Sequence, residues 1–315
     1  APILWPGDYA SVDPEQIGFD AEIEIALIYG TGDVVQGGDS GSFLSGESVF
    51  ASATISRAIV GAAEDPNIAA IILRIDSPGG SALASEIIWR AISRAKEAGK
   101  PVIVSMSDVA ASGGYYVASA ADVIVADPGT LTGSIGVFAI RPVLGGLFDK
   151  LDIGIESVTR GRHADFLLSG EKLSPAALAR LQTSVSDTYQ LFLSRVADGR
   201  NMKIEDVNAV GQGRVWTGAQ ALEVGLVDEL GGIYTAARRA KMAIGLDPET
   251  DVFLVPYPRP ATFQEQVFDA LSSASASALQ PNFELPEPLG ELAHWARVLP
   301  TGSPLLVPPI MIEIR

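Results

Sequence analysis

Residues 68–80 read IAAIILRI followed by DSPGG, an apolar run from Ile68 to Ile75 that stops at Asp76-Ser77-Pro78-Gly79-Gly80. A short apolar run bounded by turn formers is what a strand buried on both faces of a parallel sheet looks like. Proline beside paired glycines then marks the turn. Helical spacing follows: Leu83, Ile87, Ile88, Ala91, Ile92 and Ala95 are set on one face, with Gly99 as the stop. The unit then repeats. Pro101–Ser107 (PVIVSMS) predicts the next strand, and Ala110-Ala111-Ser112-Gly113-Gly114 opens a second, short helix.

Working outward, Glu22–Tyr29 predicts a buried strand and Ser52–Ala63 a helix ending before Pro66. Asp122–Ala126, Ile135–Ile140 and Asp251–Tyr257 predict further strands. Strands alternating with helices from 22 to 257 give an α/β class. From Ser174 the texture turns helical, with Ser174 as N-cap and Pro175 at the first helical position. Leu178, Leu181, Val185, Tyr189, Phe192 and Val196 then predict one buried face. Shorter helices are expected over Ile204–Val210, Gly218–Val224 and Tyr234–Ile244.

Three parts emerge: a lead-in segment (1–21), an α/β domain (22–257) and a Pro-rich C-terminal extension (258–315), the last a candidate packing arm. The 315 residues suffice for one large or two ordinary domains. With 22 basic and 38 acidic residues the net charge is −16, which repels polyanions and argues against nucleic acid as a partner. There is no cysteine, and no apolar run reaches the ~18–20 residues of a membrane-spanning helix. The chain opens on Ala1 rather than Met, so it is expected to be a processed or excised piece of something longer.

Cofactor chemistry has little support. The only histidines, His163 and His294, are far apart in sequence, and no paired metal-ligand spacing occurs. Gly30-Thr31-Gly32 follows a strand, but the third glycine of a dinucleotide fingerprint is replaced by Val35. Two glycine-rich junctions remain, Asp76–Gly80 and Ala110–Gly114. Each puts unpaired backbone N–H groups at a helix start, with no Cβ to block an approaching carbonyl. Ser112 adds a hydroxyl at the second junction. It would have the N–H of Gly113 beside the carbonyl it attacks and that of Gly79 as second donor. Read from spacing alone, the same residues also suit a helix cap and a tight packing contact.

The motifs together are more specific. DSPGG after one strand, ASGGYYVASAAD after the next, then TLTGSIGV and GRVWTGAQALEVGLVDELGG resemble the signal peptide peptidase A (protease IV) family of Ser–Lys peptidases over residues 22 to 257. The resemblance implies a Clp protease/crotonase-like α/β fold of stacked ββα units with a helical second portion. It also implies Ser112 as nucleophile, Gly79 and Gly113 as oxyanion-hole donors, and Ser134 as the hydroxyl that supports the lysine base. No metal or other cofactor is implied.

One position departs. Short members of the family carry the lysine in a Gly-x-His-Lys-Asp loop, and here Gly161-Arg162-His163-Ala164-Asp165 has alanine in its place. Lys96, Lys100, Lys150, Lys203 and Lys241 read as helix-end or surface cations; Lys172, beside Glu171, and His163 are poor substitutes. Ala164 fits an engineered knockout of a short form, or the C-terminal half of the long tandem form, whose N-terminal half supplies the lysine. Three features favour the second: no membrane helix ahead of the first strand, no initial Met, and a similar tail after 257. The resemblance then implies an envelope, membrane-associated endopeptidase acting on cleaved signal peptides. Its partners would be its own N-terminal half, apolar peptide substrates and further copies in a ring- or dome-like oligomer. A non-catalytic scaffold half and a crotonase-like acyl-CoA enzyme stay open as alternatives.

Overall fold

The computed structural model describes residues 21–38, 49–154, 160, 172–258 and 305–306. The lead-in segment up to residue 20, Ala164 with its loop, and nearly all of the extension lie outside the described residues. The strands are β1 (Glu24–Thr31), β2 (Val34–Val35), β3 (Phe50–Ala51), β4 (Ile68–Ser77), β5 (Gly80–Ser81), β6 (Val102–Ala111), β7 (Val123–Ala126), β8 (Leu131–Gly133), β9 (Val215–Thr217), β10 (Glu229–Leu230), β11 (Phe253–Pro256) and β12 (Leu305–Leu306). The helices are α1 (Ser52–Glu64), α2 (Ala82–Glu97), α3 (Gly113–Ala118), α4 (Gly145–Lys150), α5 (Pro175–Arg200), α6 (Ile204–Val210), α7 (Gly218–Glu223) and α8 (Ile233–Ala243).

The central sheet runs β10-β7-β6-β4-β1-β11, and every pairing along that path is parallel. The middle of its strands is largely apolar because both faces are covered. Ile71, Leu73 and Ile75 of β4 pack with Ile59 of α1, Ile88 and Ile92 of α2 and Tyr115 of α3. The alternate residues Ala70 and Ile72 pack on Ala236 and Ala240 of α8. The expected α/β class is what the structure has. A small second sheet, β12-β5-β2-β3, lies at the β4 exit turn.

Three expectations change. Ile135–Ile140 is not a strand; the chain pairs one step earlier, as β8, parallel to β6 and antiparallel to β9. Its Thr-Gly texture hid it, since its hold comes from partners distant in sequence, such as Thr132 Oγ1 donating to Ala110 O at 2.7 Å. Leu83 and Ile87 are exposed at 54% and 39%. The buried face of α2 is Ala84, Ile88, Ala91, Ile92 and Ala95, and Leu83 and Ile87 each sit one residue, or about 100°, off it. In α5 only the last part of the apolar stripe is buried, at Phe192 and Val196; Leu178 is exposed and Leu181, Val185 and Tyr189 are half-buried.

Candidate active site

β4 and β6 are neighbours in a parallel sheet, with Ser77 opposite Ala110. The turns after them therefore leave the same edge, which is where parallel sheets gather ligand-binding loops. That is how Gly79-Gly80 and Ser112-Gly113 meet although more than thirty positions separate them. The approach is close: a Cβ on Gly113 would lie 2.7 Å from Ser85 Oγ, 3.0 Å from Gly80 N and 3.2 Å from Gly79 Cα. Gly80, at φ +148°, is held against β2, where a Cβ would fall 2.3 Å from Val34 O.

Ser112 sits at φ 52°, ψ −112°, a conformation that side chains rarely adopt. Such a residue costs on the order of 1–3 kcal/mol and persists only where its surroundings over-determine it. Here they do: its N–H donates to Gly133 O at 2.9 Å, and its carbonyl accepts from Tyr116 N at 2.8 Å. The side chain is fully buried, and Oγ has no hydrogen-bond partner among the described residues. It does not cap α3 either. By contrast Ser81 accepts from Ala84 N and Ser174 from Ala177 N, as ordinary N-caps do. The helix-cap alternative for Ser112 is not what the structure has.

Ser134 stands next to this elbow, because Gly133 is the residue that takes the Ser112 N–H. It too has positive φ, 51°, with its N–H on Arg214 O at 2.7 Å and a buried, unpartnered Oγ. Beside it opens a mostly apolar cavity of about 690 Å³, walled by Ser134, Val137, Phe138, Leu181, Val185 and Tyr189. The Gly79 N–H donates to Ser77 Oγ at 3.2 Å within its own turn, so it would have to exchange that long bond to receive an oxyanion. The sequence gives Ser77 and Ser85 no role of their own; Ser85 Oγ donates to Ser81 O at 3.0 Å within its own helix start, and only tertiary packing brings it against Gly113.

Among the described residues no lysine hydrogen-bonds Ser112 or Ser134. Lys96 Nζ donates to Ala120 O and pairs with Asp122, Lys100 Nζ donates to Asp65 O and Ile68 O, and Lys241 Nζ donates to Pro248 O. Lys172 is exposed. His163, Ala164 and Asp165 lie outside the described residues.

The model of peptidase family S49 matches residues 94–247, a stretch that contains Ser112, Gly113 and Ser134. A Synechocystis sp. protein named as a protease is 39% identical over 186 residues, covering 59% of this chain and 67% of that relative. The chain belongs to peptidase family S49. Within the family it is similar to the chloroplastic serine protease SPPA of Arabidopsis thaliana, 43% identical over 212 residues, 67% of this chain and 31% of the relative. Protease 4 of Salmonella typhi is 34% identical over 293 residues, 92% of this chain and 45% of the relative. The chain thus spans less than half the length of these two S49 relatives. Among the described residues no helix is long and apolar enough to cross a membrane.

Proposed function

We propose that this chain carries the nucleophile of an S49 serine endopeptidase that degrades cleaved signal peptides and other apolar peptides. The observation that carries the reading is Ser112 itself: a strained, fully buried serine whose hydroxyl serves no cap and no packing bond, beside glycine amides. Its Oγ gives its proton to the base and attacks the scissile carbonyl while the Gly113 N–H and the Gly79 turn hold the oxyanion; the C–N bond then breaks as the base returns the proton to the leaving amine, and water hydrolyses the acyl ester to free Ser112. The base in this reading is a neutral lysine supplied by an N-terminal half outside this chain, and Ser134 steadies it. Ala164 in the lysine's place and a length under half that of two relatives both support this division of labour. Membrane association through another part of the protein, and an oligomer that encloses the sites, belong to the same reading.

The test is labelling by a fluorophosphonate and turnover of a fluorogenic peptide, alone and with the N-terminal half co-expressed. The lone chain is expected to be nearly inert, since loss of its base costs roughly 10²–10⁴-fold. The half restores turnover, Ala164→Lys restores part of it, and Ser112→Ala abolishes it. Robust turnover of the lone chain that disappears in Lys172→Ala overturns the split dyad and makes Lys172 the base. Ala164 also favours a second reading, a non-catalytic scaffold half, which predicts no labelling even beside the partner half.

A further inference from the structure

We propose that Glu86, Tyr116 and Arg195 are positioning residues that hold the helix starting at Ser112 in register with the Ser134 cavity; this rests on the reading of Ser112 as nucleophile. The helix in question, α3, has six residues and cannot hold its own place. Its neighbours must do so, and three contacts tie it to one face of α5.

Tyr116 comes one turn after Ser112 and donates its backbone N–H to the Ser112 carbonyl. Its ring lies 4.8 Å from that of Phe192, and its hydroxyl donates to Glu86 Oε2 at 2.6 Å. Glu86, on α2, is the hub. Arg195 of α5 donates to it through Nε (3.1 Å) and Nη2 (2.7 Å), and stacks its guanidinium 4.2 Å from the Trp89 ring. Arg90 adds a bond of 2.7 Å from the same helix as Glu86. At the far end α5 meets α3 backbone to backbone. A Cβ on Gly199 would fall 1.8 Å from the carbonyl oxygen of Ser119, whose Oγ donates to Tyr116 O.

The same helix walls the cavity. Tyr189 lines it and is itself fixed, donating to Asn208 Oδ1 at 2.8 Å and accepting the Gln212 N–H at 3.0 Å. The six steps from Tyr189 to Arg195 span about 9 Å of helix. One rigid element thus sets the spacing between the Ser112 helix and the place beside Ser134. Apolar packing alone would bury this surface as well, and buried ion pairs are weak evidence for stability. What a two-pronged guanidinium–carboxylate pair adds is fixed direction. Burial pushes the Glu86 carboxyl up, but the hydrogen bonds from Arg195, Tyr116 and Arg90 outweigh it and hold it below its ordinary value. Burial, then the bond to Glu86, pushes the Tyr116 hydroxyl up, so it stays a donor.

The test compares Tyr116→Phe, Glu86→Gln, Arg195→Lys and Arg90→Ala in whichever form of the protein labels at Ser112, alone or with its N-terminal half. kcat, KM and the phosphonate labelling rate are read where circular dichroism shows each variant folded. Tyr116→Phe keeps the ring on Phe192, and Arg195→Lys keeps the charge but loses the fork. The first three variants are expected to lower kcat and labelling about 10- to 100-fold, the scale of a misplaced reacting group, with KM little changed. Arg90→Ala, on a side chain 62% exposed, leaves all three readings at wild type. Folded Tyr116→Phe and Glu86→Gln proteins with wild-type kcat overturn the proposal, and Tyr116→Phe decides alone if Glu86→Gln does not fold. Wild-type protein that never labels at Ser112 overturns the nucleophile reading and this one with it. Labelled wild type with unaffected variants overturns only the positioning role.

Discussion

Removing the Ser112 hydroxyl should make this protein more stable. A buried polar group without a partner costs about 1–3 kcal/mol, and Ser112 Oγ is such a group. In Ser112→Ala the methyl side chain occupies the same backbone conformation, so the strain at φ 52° is unchanged and only the orphan hydroxyl is lost. The expected gain is about 1 kcal/mol, the low end of that range because a hydroxyl in this turn can relax towards a neighbour. Ser112→Gly also relieves the backbone, about 1–3 kcal/mol. Against that stands the larger entropy of an unfolded glycine, about 0.5–1 kcal/mol. Glycine should therefore exceed alanine by roughly 1 kcal/mol, and each such step raises Tm by about 2–4 °C in a domain of this size. Urea titration with an unchanged slope measures both differences directly. An alanine variant less stable than wild type means that the hydroxyl is a structural bond rather than a reserved nucleophile. A glycine variant no more stable than alanine means that the elbow stores no strain.

Other expectations follow from the same geometry. Gly199→Ala places a Cβ 1.8 Å from Ser119 O, a backbone atom, so α5 and α3 must separate; a loss of about 3 kcal/mol is expected in urea, and a loss under half of that contradicts the contact. The Glu86 carboxyl is held below its ordinary value of 4.5, so its contribution to stability is full above that pH and is lost as pH falls through the lower folded value. Acid titration of Glu86→Gln should show a shallower stability loss below about pH 4.5 than wild type, and identical curves would refute it. A net charge of −16 disfavours acidic peptides, so a leucine-rich substrate should be cleaved faster than a polyglutamate-rich one, with the gap narrowing as salt rises; equal rates contradict this.

Much of the architecture is written locally. IAAIILRI and PVIVSMS need no distant information to be read as strands, because burial on both faces favours apolar residues at nearly every position. Ser174-Pro175 and Gly99 carry their helix boundaries in their own backbone chemistry. The two glycine-rich junctions are legible for the same reason: a chain that must turn sharply and admit a close neighbour leaves glycine behind. What the sequence could not show is what each element meets. β8 has no apolar signature because β6 and β9 hold it. Leu83, Ile87 and Leu178 look like core and are exposed, since periodicity reports that a face is apolar and not whether anything covers it. Glu86 reads as one more surface carboxylate, and Tyr116 and Arg195, 30 and 109 positions away, reach it only after the sheet has stacked α2, α3 and α5 together. Ser112 is a candidate nucleophile by a motif of consecutive residues. Its strain, its unpartnered hydroxyl and the supports around it are properties of side chains brought together from separate strands and helices, and only tertiary packing creates those.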